Sequence, residues 1–74
     1  MPKVVLRFYE ELNDFLPPWK RKRAFEAEFA GKRSVKDLIE SFGVPHTDID
    51  LILVNGKSVG FDYILEDGDY ITDY

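Results

Sequence analysis

The sequence predicts an α+β fold, with about five strands in a mixed sheet and one short helix packed on one of its faces. Three observations carry this. Residues 3–9 and 23–29 alternate apolar and polar side chains with period two. Residues 35–42 place Val35, Leu38, Ile39 and Phe42 at i, i+3, i+4 and i+7, one apolar stripe of a helix. Asn55-Gly56 follows the apolar run Leu51-Ile52-Leu53-Val54 and marks a tight hairpin.

In residues 3–9, Val4, Leu6 and Phe8 face one way and Val5, Arg7 and Tyr9 the other, a half-buried first strand. Residues 10–18 read as a connection, because Pro17-Pro18 cannot sit inside a paired strand. Leu12, Phe15 and Leu16 are expected to tuck from it into the core. In the second strand, residues 23–29, Phe25, Ala27 and Phe29 share one face and Ala24, Glu26 and Glu28 the other. Ser34 with Asp37 three residues on is a capping-box-like helix start. Gly43 suits the left-handed residue that ends the helix, and Pro45 stops continuation. Leu51-Ile52-Leu53-Val54 is the third strand and Lys57-Ser58-Val59 the fourth. A type I′ turn needs positive φ at both central residues, which Asn55-Gly56 supplies. Phe61, Tyr63 and Leu65 lead a wrapped segment to the turn Asp67-Gly68-Asp69, and residues 70–74 form the fifth strand. Asp73 breaks the apolar alternation that Ile71 begins, so either that strand frays after Thr72 or the chain is cut near its natural edge. One short helix cannot cover both faces of the sheet, so the other face stays open. The order β-β-α-β-β-β, with the helix in the crossover between strands two and three, is that of a β-grasp.

With 74 residues the chain is one domain, residues 1–74. No cysteine is present, which rules out disulfides, and a single histidine leaves nothing with which to build a zinc site. No cofactor and no metal are expected. No apolar run reaches the roughly 20 residues that span a bilayer, and the polar N-terminus does not read as a signal peptide, so no membrane partner and a cytoplasmic location are expected. The net charge of −4 argues against general nucleic-acid binding but hides an asymmetry. Residues 1–37 hold nine basic and six acidic side chains, whereas residues 38–74 hold one basic and eight acidic.

No nucleophile motif, phosphate loop or metal-ligand spacing occurs, so catalytic residues are expected to be absent. Asp67-Gly68-Asp69 lacks the further oxygens of a calcium loop and reads as a plain turn. His46, with no catalytic partner in sight, reads as loop packing with a hydrogen bond inside Pro45-His46-Thr47-Asp48. Two surfaces remain. The open sheet face should gather Val5, Arg7, Tyr9, Glu26, Tyr70 and Thr72, a mixed aliphatic and aromatic patch suited to a protein partner. The plainer reading of Arg7 is a cross-strand ion pair with Glu26. Trp19, Lys20, Arg21, Lys22 and Arg23 place four cations beside an indole, a pattern that can contact phosphate and stack on an RNA base. Their plainer reading is a solvated hairpin start with Trp19 folded onto the core edge.

The architecture resembles ubiquitin and the small sulfur carriers of thiamine and molybdopterin synthesis, in which "VNG" followed by "LEDGD" recurs. A closer likeness runs through "RFYEELNDFLPP", "SVKDLIESFGVPHTDIDLILVNGKSV" and "YILEDGDYI". These stretches resemble the bacterial ubiquitin-like domain that precedes the Mut-seven C-terminal RNase domain. "GVPHTDIDLILVNG" is the most specific piece, since Pro45-His46-Thr47 is not demanded by the fold. That resemblance implies a non-catalytic accessory module at the N-terminus of a longer protein. Its partner would be another protein, or a PIN-like nuclease domain in the same chain. The carriers end in Gly-Gly, whose lack of side chains lets a terminal carboxylate enter an activating enzyme. Asp73-Tyr74 offers bulk and charge there instead, so the carrier role is the lesser alternative and RNA contact through residues 19–23 the other.

Overall fold

The computed structural model describes residues 1–74. Strands β1 (Lys3–Phe8), β2 (Phe25–Glu28), β3 (Ile52–Val54), β4 (Lys57–Ser58) and β5 (Tyr70–Asp73) form one sheet, and α1 (Val35–Ser41) is its helix. The order across the sheet is β2-β1-β5-β3-β4. The central pair, β1 and β5, is parallel and the other pairings are antiparallel, so the sheet is mixed.

Each element follows from local chemistry. The Ser34 hydroxyl accepts the Asp37 N–H at 3.1 Å and closes the first turn of α1. Gly43, at φ 85°, turns the chain out of the helix. Asn55 and Gly56 both have positive φ, 53° and 84°, as the β3–β4 turn requires. The period-two pattern of β1 buries Val4, Leu6 and Phe8 against Val35, Leu38 and Ile39 of α1. Ile52, Val54 and Ile71 join them from β3 and β5. The segment after β4 wraps under the helix start, where the Val35 N–H donates to the Tyr63 carbonyl at 2.8 Å and the Leu65 N–H to the Arg33 carbonyl at 2.9 Å.

The connection holds two 3₁₀ segments, Glu10–Phe15 and Pro18–Lys20. Two expectations are corrected. Leu12 and Leu16 enter the core as expected, but Phe15 stays 43% exposed. The inward side of this connection is taken by Leu12, Asn13 and Leu16. Asn13 explains that choice: its amide donates to the carbonyls of Phe8 (3.1 Å) and Glu10 (3.0 Å), and its oxygen accepts the Lys22 N–H at 2.7 Å. The last strand also does not fray after Thr72. Asp73 pairs with Phe8 on one side and Ile52 on the other, and its side chain is fully buried.

Candidate interface on the open sheet face

Because α1 covers one face, the outward residues of the sheet form a continuous surface. Sheet register sets its rows. One row runs Glu26, Val5, Tyr70 and a second runs Arg7, Thr72, Leu53. A third is built by Tyr9, Tyr74 and Leu51: the Tyr9 N–H donates to the Asp73 carbonyl at 3.0 Å, and Tyr74 and Leu51 exchange backbone hydrogen bonds at 2.9 and 3.2 Å. The structure therefore brings together all six residues expected on this face and adds Leu51, Leu53 and Tyr74. Period two along β3 and β5 was the signal for all three. Tyr70 is 42% exposed and Leu51 40%, apolar area that no other element covers.

Arg7 does not pair with Glu26. Its guanidinium carbon lies 5.0 Å from the centre of the Tyr9 ring, and one terminal nitrogen donates to the Lys22 carbonyl at 3.5 Å. Glu26 instead meets Lys3 at 3.3 Å. Glu26 stands opposite Val5, which makes Lys3 and Arg7 its two diagonal neighbours. The flexible lysine reaches it, while the ring and the carbonyl hold the arginine. The Arg7 Nε is buried with no partner.

The basic stretch is only partly free. The Lys20 ammonium sits 4.6 Å from the Phe25 ring centre and 4.8 Å from that of Phe42, capping an aromatic cluster under β2. The Arg21 Nε donates to the Leu16 carbonyl at 2.8 Å. Lys22 and Arg23 are exposed. Trp19 is not folded onto the core edge but stands 69% exposed.

The loop has the expected internal hydrogen bond, from the Asp48 N–H to the Pro45 carbonyl at 3.1 Å, while the His46 side chain bonds outside it. Its Nδ1 lies 2.6 Å from the Glu40 carboxylate on α1, and its ring stands edge-on to Phe61 at 5.3 Å. That hydrogen bond holds the Glu40 carboxyl below its ordinary range. His46 thus fastens the loop to the helix, with no nucleophile beside it. No cluster of His, Cys, Asp and Glu in the chain could hold a metal ion.

The residue that sequence reasoning missed most plainly is Asp69. It is buried, and its carboxylate accepts from the Asn55 amide (2.9 Å), the Tyr63 hydroxyl (2.8 Å) and the Glu66 N–H (2.9 Å). The Asn55 oxygen in turn accepts the Tyr70 N–H at 2.9 Å. This network locks the β3–β4 turn to the start of β5. Burial and these partners push the Tyr63 phenol up to about 12.

Fold and site together define a ubiquitin-like β-grasp domain with one uncovered sheet face. The chain belongs to the family described as Mut7-C ubiquitin, whose profile matches residues 1–74. Among solved structures it is similar to a Pyrococcus furiosus protein described as molybdopterin converting factor, subunit 1. The two share 24% identity with a TM-score of 0.72, over 99% of this chain and 95% of the other, a likeness of fold. No curated protein matches the chain at a comparable level. No helix is long and apolar enough to cross a membrane.

Proposed function

We propose that this domain is a non-catalytic binding module that docks a protein partner through its open sheet face. The partner is a separate protein or a nuclease domain in the same polypeptide, of which residues 1–74 would be the N-terminal module. The observation that carries this reading is the uncovered patch of Val5, Arg7, Tyr9, Tyr70 and Thr72, extended by Leu51, Leu53 and Tyr74. Its composition, aromatic and arginine-bearing with aliphatic neighbours, is that of interface cores. Family membership supports an accessory role beside a nuclease.

The test is binding of the isolated domain to a Mut7-C nuclease domain supplied as a separate polypeptide, followed by calorimetry. Val5→Asp and Tyr70→Ala should each weaken binding about tenfold or more while the domain stays folded. Unchanged affinity in both variants would count against this face.

A second reading rests on Trp19. An exposed indole beside exposed Lys22 and Arg23 suits a single-stranded RNA contact. Combined replacement of Trp19, Lys22 and Arg23 should then remove a salt-sensitive RNA affinity. The sulfur-carrier reading finds less support. The likeness to the molybdopterin converting factor subunit, at 24% identity, is one of fold alone.

A further inference from the structure

At one end of the open face, beyond the Tyr9–Tyr74 stack, lies a cleft of about 520 Å³. Its apolar surface comes from Tyr9, Tyr74, Leu12 and Phe15. The 3₁₀ segment Glu10–Phe15 forms one wall and the chain between α1 and β3 the other. Phe15, turned away from the core, is the unpartnered aromatic of this groove. All its remaining lining residues are acidic: Glu10, Glu11 and Asp14 on one side, Asp48 and Asp50 on the other. No cation lines it. The two ion pairs of the chain, Lys3–Glu26 and His46–Glu40, lie elsewhere, so none of these five carboxylates is ion-paired.

We propose that this cleft seats a basic segment of the partner protein, with Arg or Lys side chains laid over Tyr74 and Phe15 between the two acidic walls. The inference rests on the binding-module reading and names the chemistry of the partner. Three features select this occupant. An aromatic floor favours a guanidinium or ammonium group, as the Arg7–Tyr9 contact within the chain already illustrates. Carboxylates on both walls complement cations spaced along a peptide rather than a single point charge. They do not converge enough to hold a metal ion, which removes the compact alternative. The cleft also shares Tyr9 and Tyr74 with the sheet face, so one partner could occupy both surfaces without a break.

The experiment is a titration of the isotope-labelled 74-residue chain with a short Arg-Gly repeat peptide, read by amide chemical shifts. Shifts should gather at residues 9–15, 48–51 and 74. Glu11→Gln, Asp48→Asn and Asp50→Asn combined should weaken binding about tenfold, the sum expected of three partly exposed charge contacts. The control Glu28→Gln, Asp62→Asn and Glu66→Gln removes equal charge away from the cleft and should change affinity less than about twofold. Equal weakening in both sets would overturn the proposal by assigning the affinity to diffuse charge. Shifts centred elsewhere, or none, would also overturn it. Concentration-dependent sedimentation of the chain alone, with shifts at both the cleft and residues 19–23, would give the cleft to a second copy instead. Val5→Asp should leave peptide affinity unchanged. Loss of nuclease-domain binding in that variant with intact peptide binding upholds the sheet face and the cleft separately. Failure of the cleft set alone sinks only the cleft.

Discussion

Asp73 stands directly across from Phe8 in the parallel β1–β5 ladder, and its carboxylate is fully buried with both oxygens unbonded. Its other strand neighbour is Ile52, also buried. An ionised carboxylate among such neighbours is costly, and burial pushes the Asp73 pKa from 3.8 up to about 7. The sign follows. Below about pH 4 folded and unfolded chains both hold the proton, and the penalty is absent. Between there and about pH 7 only the folded chain holds it, so stability falls as pH rises. Above about pH 7 the buried group is ionised and the penalty is complete. Asp73→Asn should therefore match the parent near pH 4 and exceed it by roughly 2–4 kcal/mol at pH 8. Urea melts of both proteins across that range, compared by difference, cancel the other titrating groups. A variant less stable than its parent at pH 8 would mean that the carboxylate has a partner in solution.

Asp69 is the opposite case, a buried carboxylate with every bond made. Removing it strands the Tyr63 hydroxyl, the Asn55 amide and the Glu66 N–H together. Asp69→Ala should destabilise by roughly 3 kcal/mol, and Tyr63→Phe, which deletes one bond, by about 1. Asp69→Asn should not rescue. Asn55 is held in orientation by the Tyr70 N–H, so the new amide must point a donor at a donor on one side. Ultraviolet titration supplies an independent reading. The Tyr63 phenol should ionise near 12 in the parent and move part of the way back towards 10 in Asp69→Ala, since burial, the larger cause, remains. A Tyr63 titration unmoved by that substitution would sink the network.

These two aspartates show where the sequence is legible and where it is not. Local rules worked where the deciding atoms lie within a few residues: Ser34 caps Asp37, Asn55-Gly56 turns with two positive φ angles, and β1 alternates. The open-face residues were legible for the same reason, since period two fixes which side each one takes. Asp73 was not. Its burial is imposed by Phe8 and Ile52, 65 and 21 positions away, and an alternation rule reads an aspartate as a break. Asp69 looked like turn chemistry because its partners Asn55 and Tyr63 come from two other segments. The cleft was illegible as a unit, because its two acidic walls are joined only when β1 meets β5 and β5 meets β3.

Lys20 and Trp19 are neighbours with exchanged expectations. The lysine, which reads as a free cation, covers two phenylalanine rings, and the tryptophan, which reads as core edge, stands in solvent. Lys20→Ala should thus destabilise by about 1 kcal/mol through lost cation–π and stem packing. Trp19→Ala should change stability by less than about 0.5 kcal/mol. Thermal melts of the two variants, at low and high salt, check the pair. A larger loss from Trp19→Ala would place the indole against the core in solution.

The Tyr9–Tyr74 stack, 4.6 Å between centres and 11° between planes, belongs to both proposed surfaces. Its own contribution to stability should be modest, about 1 kcal/mol for Tyr9→Ala beyond the area lost. Its contribution to binding should be broader than that of any neighbour. Val5 lies only on the sheet face, and Phe15 lines only the cleft. Val5→Asp should weaken nuclease-domain binding and spare the Arg-Gly peptide. Phe15→Ala should weaken the peptide and leave the sheet-face contacts in place. Tyr9→Ala should weaken both, each by about tenfold if the ring is a central anchor. Two calorimetric titrations per variant make the comparison. If Tyr9→Ala follows the pattern of either neighbour alone, the two surfaces do not meet at this stack, and a single partner lying across both would be ruled out.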